Sequence, residues 1–172
     1  MKMVERKLLI DEESMDYEGL FNLIELYSII DEFLKLKGYD KFEPLNEESV
    51  YPSGKDVHII IRPLKWHTDY IRKVLKIEMQ MHNIKEVETE VDKVKVKLNQ
   101  GKIKILYSGY LETDWEGRWE QKPIYYFFRT LFDKYIYRKH TKDFEGEIIS
   151  DINELRDKMG AYLNLYRFRK SA

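Results

Sequence analysis

The chain contains no cysteine. Disulfides, thiolate catalysis and Cys-ligated metals are therefore excluded. Net charge is nearly absent too: 30 Lys and Arg stand against 31 Asp and Glu, a balance that does not advertise a nucleic-acid partner but leaves room for a local basic patch. No signal peptide or transmembrane segment is visible, so the expected location is cytoplasmic. Internal repeats and low-complexity linkers are missing. Ser53, Gly54 and Lys55 stand in a row, but the Walker pattern around them is lacking. There is no Gly-rich dinucleotide loop, no metal-binding loop, no Ser–His–Asp order and no His-Glu-x-x-His. The four histidines are His58, His67, His82 and His140. Strands bringing His58 and His82 together are the one route to a metal site, which needs three or four converging ligands. No catalytic residue, metal or cofactor is expected.

Apolar and aromatic content is ample. At 43% hydrophobic and 14% aromatic, the composition argues against disorder. A length of 172 residues suits one domain, 1–172, with a sizeable core. The densest apolar stretch lies within 109–140. Pro123 suits the first turn of a helix, where its missing N–H has no intrahelical partner. Ile124, Phe127, Phe128, Leu131, Phe132, Tyr135 and Ile136 then follow helical spacing, and Tyr125, Tyr126 and Tyr137 widen the stripe. A helix so broadly apolar needs more than one neighbour. Its plain reading is a core helix on a sheet; the sharper ones are a dimer interface or one wall of a ligand pocket.

The rest reads in order. Residues 3–10 are a short strand candidate, ended by the acidic run Asp11, Glu12 and Glu13. Asp16 is the candidate N-cap of a first helix with the stripe Leu20, Leu23, Ile24, Tyr27, Ile30 and Leu34. Lys35 and Lys37 complement its C-terminal dipole, and Gly38 suits a left-handed cap. Residues 39–55 read as a connection rich in turn residues: Pro44, Pro52, Ser53 and Gly54. A strand at 56–64 puts Val57, Ile59 and Ile61 on one face, and Pro63 ends it or places it at a sheet edge. A loop carries Trp66 and His67. A longer strand spans 70–83, with Ile71, Leu75, Ile77, Met79 and Met81 pointing one way; a helix competes there, because Ile71, Val74, Leu75 and Glu78 also fit its period. Val94, Val96 and Leu98 alternate with lysines, and Asn99, Gln100 and Gly101 are the expected hairpin turn. Ile103, Ile105 and Tyr107 return in antiparallel fashion with one solvated face. A last helix, capped by Ser150 or Asp151 with Glu154, has the stripe Ile152, Leu155, Met159, Tyr162, Leu163 and Tyr166.

Three constellations have chemical meaning. Glu112, Asp114, Glu116 and Glu120 surround Trp115 and Trp119, a pattern compatible with sugar binding or two-carboxylate hydrolysis; the plainer reading is an ordered loop anchored by its rings. Lys93, Lys95, Lys97, Lys102 and Lys104 read first as the wet face of a hairpin paired with Glu, and otherwise as a stripe for phosphate or anionic lipid. Lys134, Arg138, Lys139, Lys142, Arg167, Arg169 and Lys170 form a better basic patch if two helix ends converge.

The stretch GYLETDWEGRWEQKPIYYFFRTLFDKYIYR, with the earlier LYSIIDEFLKLKGYDKFE, resembles an uncharacterised family of small archaeal proteins. That resemblance implies no known activity and no site residues. At fold level, the order strand, helix, antiparallel strands, helix is similar to the helix-grip, START-like architecture. Such domains hold apolar ligands between a curved sheet and a C-terminal helix. The expected second late helix departs from that pattern.

The expected fold is α+β: an antiparallel sheet of about five to seven strands against an N-terminal helix and two C-terminal helices. The expected function is a non-enzymatic binding domain with an aromatic-lined cavity or groove for an apolar or amphipathic small molecule. Trp66, Tyr70, Trp115, Trp119, Tyr125 and Phe128 are its candidate lining, and Arg62 or Arg118 its polar anchor. The alternative is a protein–protein or homo-oligomerisation module using the aromatic helix 124–137. A third is a peripheral binder of anionic membrane or nucleic acid through the C-terminal basic residues.

Overall fold

Period-2 alternation is realised as strand over most of the first two thirds of the chain. The computed structural model describes residues 5–67, 71–91, 94–113 and 138–167, with the side chains of all but 5, 91, 138–141 and 167. The elements are β1 (Glu5–Phe21), α1 (Leu23–Lys37), β2 (Leu45–Tyr51), β3 (Gly54–Ile61), β4 (Leu64–Trp66), β5 (Ile71–Val91), β6 (Val94–Thr113) and α2 (Arg138–Arg167). The six strands form one sheet in the order β1-β6-β5-β3-β2, with β4 also on β5. Every pairing is antiparallel. The α+β class and the antiparallel sheet are thus as expected. Among the described residues there are two helices rather than three; the expected aromatic helix 124–137 lies outside the described residues.

The core occupies one face of the sheet. Ile71, Leu75, Ile77, Met79 and Met81 of β5 are buried there with Ile103, Ile105, Tyr107 and Leu111 of β6 and Val57, Ile59 and Ile61 of β3. Both described helices join this cluster: Leu26, Ile30, Phe33 and Leu34 from α1, and Ile148, Ile152, Leu155, Met159 and Leu163 from α2. The α2 residues keep helical spacing, so one stripe of a 30-residue helix faces the sheet. Gly109 sets how close that stripe comes. A Cβ there would lie 2.6 Å from both Ile148 Cγ2 and Ile152 Cδ1, nearer than carbon atoms pack.

Several expected boundaries move, each for a physical reason. β1 does not stop at the acidic run. Its pairing passes from Ile10↔Gly109 to Glu13↔Tyr107, so Asp11 and Glu12 together oppose Ser108. This is a two-against-one bulge, with Glu12 at φ 47° and its N–H donating to Ser108 Oγ at 3.2 Å. Asp16 therefore lies inside β1, opposite Lys104, and is not a cap. Asn22 caps α1 instead, its side chain accepting from the N–H groups of Ile24 and Glu25. Moving the start exposes Ile24, 78% accessible, and turns Leu26 and Phe33 inward. The far end is as expected: Gly38 is left-handed at φ 72°, and Lys35 and Lys37 lie in the last turn.

The connection 39–55 contains β2, an edge strand exposed at all but its first residue. With no buried face it has no apolar alternation to betray it. Trp66 belongs to β4 rather than a loop. The hairpin is also relocated. Asn99, Gln100 and Gly101 run within β6, paired to Phe21, Leu20 and Gly19, and the pairing of β5 with β6 continues to Val91↔Val94. Gly101 answers to close approach: a Cβ there would lie 2.4 Å from Ile84 Cδ1 and 3.0 Å from the His82 carbonyl oxygen. The β5 register shifts between His82 and Lys85, so the glycine marks a bulge in the neighbouring strand. Lastly, the described span of α2 is Arg138–Arg167. Ser150 and Asp151 are therefore mid-helix, not caps.

Two glycine substitutions should separate packing from propensity. Gly109→Ala should destabilise the protein by about 1–3 kcal/mol through overpacking against Ile148 and Ile152. Gly146→Ala, in α2 with open space around the new methyl, should stabilise by roughly 0.5–1 kcal/mol. Urea midpoints at constant slope measure both; equal shifts would contradict the close seat of α2.

Candidate functional site

Charge is buried at one end of the sheet, where β4, the start of β5, the end of β6 and the first half of α2 meet. Lys73 lies in phase with Ile71 and Leu75 on the face toward the helices, opposite Leu111. Its side chain is 0% exposed. A buried ammonium needs a partner, and Lys73 Nζ donates to Glu147 Oε2, from α2. Glu147 itself is 51% exposed. The hydrogen bond from Lys73 holds its carboxyl below the usual carboxylate range, against the opposing effect of burial.

His67 completes this cluster. Its ring stacks on Phe144 with centroids 4.2 Å apart. Burial, then the Lys73 charge, pushes its pKa below the ordinary histidine value, which keeps the imidazole neutral at neutral pH. His67 Nε2 is buried without a hydrogen-bond partner, and Glu147 Oε2 is 3.7 Å away, beyond hydrogen-bond reach. One turn further along α2, buried Asp151 accepts from Tyr39 Oη at 2.8 Å and pairs with Lys37 Nζ at 3.0 Å. Burial and then the Asp151 charge raise the Tyr39 pKa, so the phenol stays protonated.

The opposite face at the same end carries a second network. Glu112, 1% exposed, pairs with Arg6 at 2.7 Å and Arg72 at 2.5 Å. Arg72 lies over the Trp66 ring, 5.0 Å from its centroid. Arg62 donates to Tyr110 Oη at 2.6 Å. Farther along β5, Glu78 receives Lys76 at 2.7 Å, Gln80 at 2.8 Å and His58 at 2.9 Å. Burial pushes its carboxyl up, but these donors outweigh it and bring the pKa down to about 2.

The structure brings the expected anchor Arg62 and the expected lining residue Trp66 to one end of the sheet, both away from the helices. Tyr70, Trp115, Trp119, Arg118, Tyr125 and Phe128 lie outside the described residues, as do Lys134, Arg169 and Lys170. Arg138, Lys139 and Lys142 open α2 and Arg167 closes it. At 1.5 Å rise per residue these ends are roughly 40 Å apart, so they are not brought together. Glu112 gives one oxygen to each of two arginines; Asp114, Trp115, Glu116, Trp119 and Glu120 lie outside the described residues. On the hairpin lysines, Glu88↔Lys97 and Glu90↔Lys95 are directly opposed, and Lys102 lies 3.6 Å from Glu18. These pairs match a solvated, charge-balanced face. His58 and His82 each take a separate carboxylate, Glu78 and Asp56. Among the described residues no three His, Asp or Glu side chains group to hold a metal ion.

Sequence reading missed Lys73, His67 and Glu147 as a group. Only one signal was available: a lysine standing in phase with the apolar face of a strand. Open depressions lie elsewhere: one of about 750 Å³ runs along the outer side of α2 at Ile149, Asn153 and Asp157, and others flank Tyr17 and Tyr51. No family model, curated protein or solved structure matches the chain.

Two measurements test these electrostatics. Glu147→Gln leaves Lys73 buried and unanswered and should cost about 2 kcal/mol, less than the roughly 3–5 of a fully buried pair because Glu147 is half in water. Lys73→Met, which removes the charge and keeps the apolar stem, should be near neutral. Chemical denaturation compares them, and a larger loss for Lys73→Met would contradict the assignment. Glu78 is the acid-sensitive group. Its folded pKa is depressed, so its contribution is present above the unfolded value near 4.5 and is lost as pH falls toward 2. Glu78→Gln should therefore be less stable at pH 7, by on the order of 2–3 kcal/mol, and should match the parent at pH 2.

Proposed function

We propose that this chain is a non-enzymatic binding domain for an amphipathic small molecule, taken at the end of the sheet between β4, β5 and the first half of α2. One observation carries the reading. Lys73 is a fully buried ammonium answered by a half-exposed carboxylate, beside a buried imidazole nitrogen without a hydrogen-bond partner. Domains rarely keep such groups in an apolar setting for stability, because an apolar replacement is often as good. A few convergent polar groups on apolar walls are the usual form of a small-molecule site. Phe144, Ile71 and Leu111 supply apolar surface next to Lys73. Trp66 and Arg62 lie on the opposite face of the same end, outside this seat, and Tyr70, Trp115, Trp119, Arg118, Tyr125 and Phe128 are proposed as its further lining.

The helix-grip likeness belongs to this proposal. Its support is the element order: a first strand, a helix, an antiparallel sheet and one 30-residue helix laid on the same sheet face as α1. The chain is not proposed to span a membrane; no described helix is long and apolar enough to cross one.

Native mass spectrometry of the purified protein tests the reading. The expected spectrum contains a small added mass that disappears on denaturation and is reduced in Lys73→Met. A bare protein that also fails to take up any added amphiphile would refute the binding proposal.

A further inference from the structure

We infer that the ligand's head group is a single carboxylate, and that Glu147 is its built-in competitor: the incoming carboxylate takes Lys73 Nζ and accepts a hydrogen bond from His67 Nε2 while the Glu147 side chain turns out to solvent. The inference rests on the binding reading above and names the class of ligand for the same site.

The seat is already shaped for this group, because a carboxylate occupies it. Glu147 Oε2 contacts Lys73, whose side chain is 0% exposed. A tethered occupant can leave only if its own side chain has somewhere to go. Glu147 does: it is 51% exposed on the water-facing flank of α2, so its carboxylate regains hydration when it swings outward. Lys73 has no such freedom, being fixed under the helix between Ile71 and Leu75 in the strand. It must be answered by an anion in place.

Glu147 is moreover an incomplete occupant. It satisfies Lys73 but stops 3.7 Å short of His67 Nε2, a buried nitrogen left without a partner. Buried polar atoms are rarely left so. A free carboxylate, not held by the geometry of a helix, places one oxygen on each group. Lys73 then makes an ion-pair hydrogen bond, and the uncharged His67 N–H a second bond to the same anion. A monoanion fits this pair in charge as well. One buried ammonium and one neutral imidazole answer a single negative charge, whereas a phosphate dianion brings a second charge and a bulkier tetrahedral head. The remainder of the molecule must be apolar at least next to the head, since Phe144 stacks on His67 and Ile71, Leu75 and Leu111 surround Lys73.

Competition has a measurable signature. While Glu147 holds the seat, the apparent affinity of a ligand is lowered by the fraction of molecules in which the seat is free. Calorimetric titration with decanoate, decan-1-ol and decyl phosphate, each below its micelle concentration, separates the alternatives in the full-length chain. Decanoate should bind, with decan-1-ol at least about tenfold weaker for want of the charged contact. Glu147→Gln should tighten decanoate by about tenfold if the seat is filled nine times in ten, and should leave decan-1-ol unchanged. Lys73→Met should abolish the preference for decanoate over decan-1-ol. Equal binding of acid and alcohol, with no effect of Glu147→Gln, would overturn the carboxylate assignment and leave the amphiphile reading standing. Tighter binding of decyl phosphate than of decanoate would also overturn the assignment. If no probe binds to the parent protein or to either variant, both the assignment and the binding reading fail. Because the three probes are compared on the parent protein first, instability of one variant does not decide the outcome.

Discussion

The seat of α2 on Gly109 sets the geometry of everything around it. A missing side chain in β6 lets Ile148 and Ile152 reach the sheet surface, and a rigid helix then carries its other residues to fixed heights along the same line. Glu147 falls beside Lys73, Asp151 beside Tyr39, and Met159 Sδ beside Tyr107 Oη at 3.3 Å. The tyrosine hydroxyls and the lysine are buried side chains that burial alone would penalise. The depth of the helix is what gives each of them a partner. Packing and polar satisfaction are thus the same constraint, since a helix held farther from the sheet would loosen the core and leave three polar groups unanswered.

The two faces of the sheet handle buried charge differently at the same end. On the outer face, Glu112 is answered by two arginines drawn from β1 and β5, whose guanidinium forks suit a carboxylate. On the helix face, Lys73 is answered by one carboxylate that water also reaches. The first arrangement ties two strands together through both oxygens of its carboxylate. The second is half in water, and an adjacent imidazole nitrogen has no hydrogen-bond partner. That asymmetry, rather than any aromatic content, is the observation on which the proposed head-group site rests.

Bulges are the other organising device. The β1 bulge at Asp11 and Glu12 and the β5 bulge between His82 and Lys85 lie on the two strands that flank β6. Each inserts residues against a partner that does not change its own pairing, which bends the flanking strand and increases local twist. The same bulges explain two features that look like punctuation in the sequence. The acidic run is read as a strand end because a bulge uses the residue types that turns use, and Asn-Gln-Gly as a turn because its glycine, needed for close approach to the neighbouring bulge, is also a turn residue.

Much of the fold was legible in the residues alone. The stripe of β5 from Ile71 to Met81, the buried face of β3, the left-handed cap at Gly38 and the inward stripe of α2 are periodic signals, and each rests on contacts between neighbours in the chain. β2 was not legible, because an edge strand exposed on both faces has no apolar period. The turn at Asn99 to Gly101 was misplaced because β6 continues through it only with β1 and β5 on either side. The site was least legible of all. Lys73 and Glu147 are 74 residues apart, and neither stands in a motif. Local periodicity decides which residues face inward; only the stacking of a distant helix on the sheet decides which inward-facing charge meets which partner, because burial makes that pairing obligatory and chain order does not.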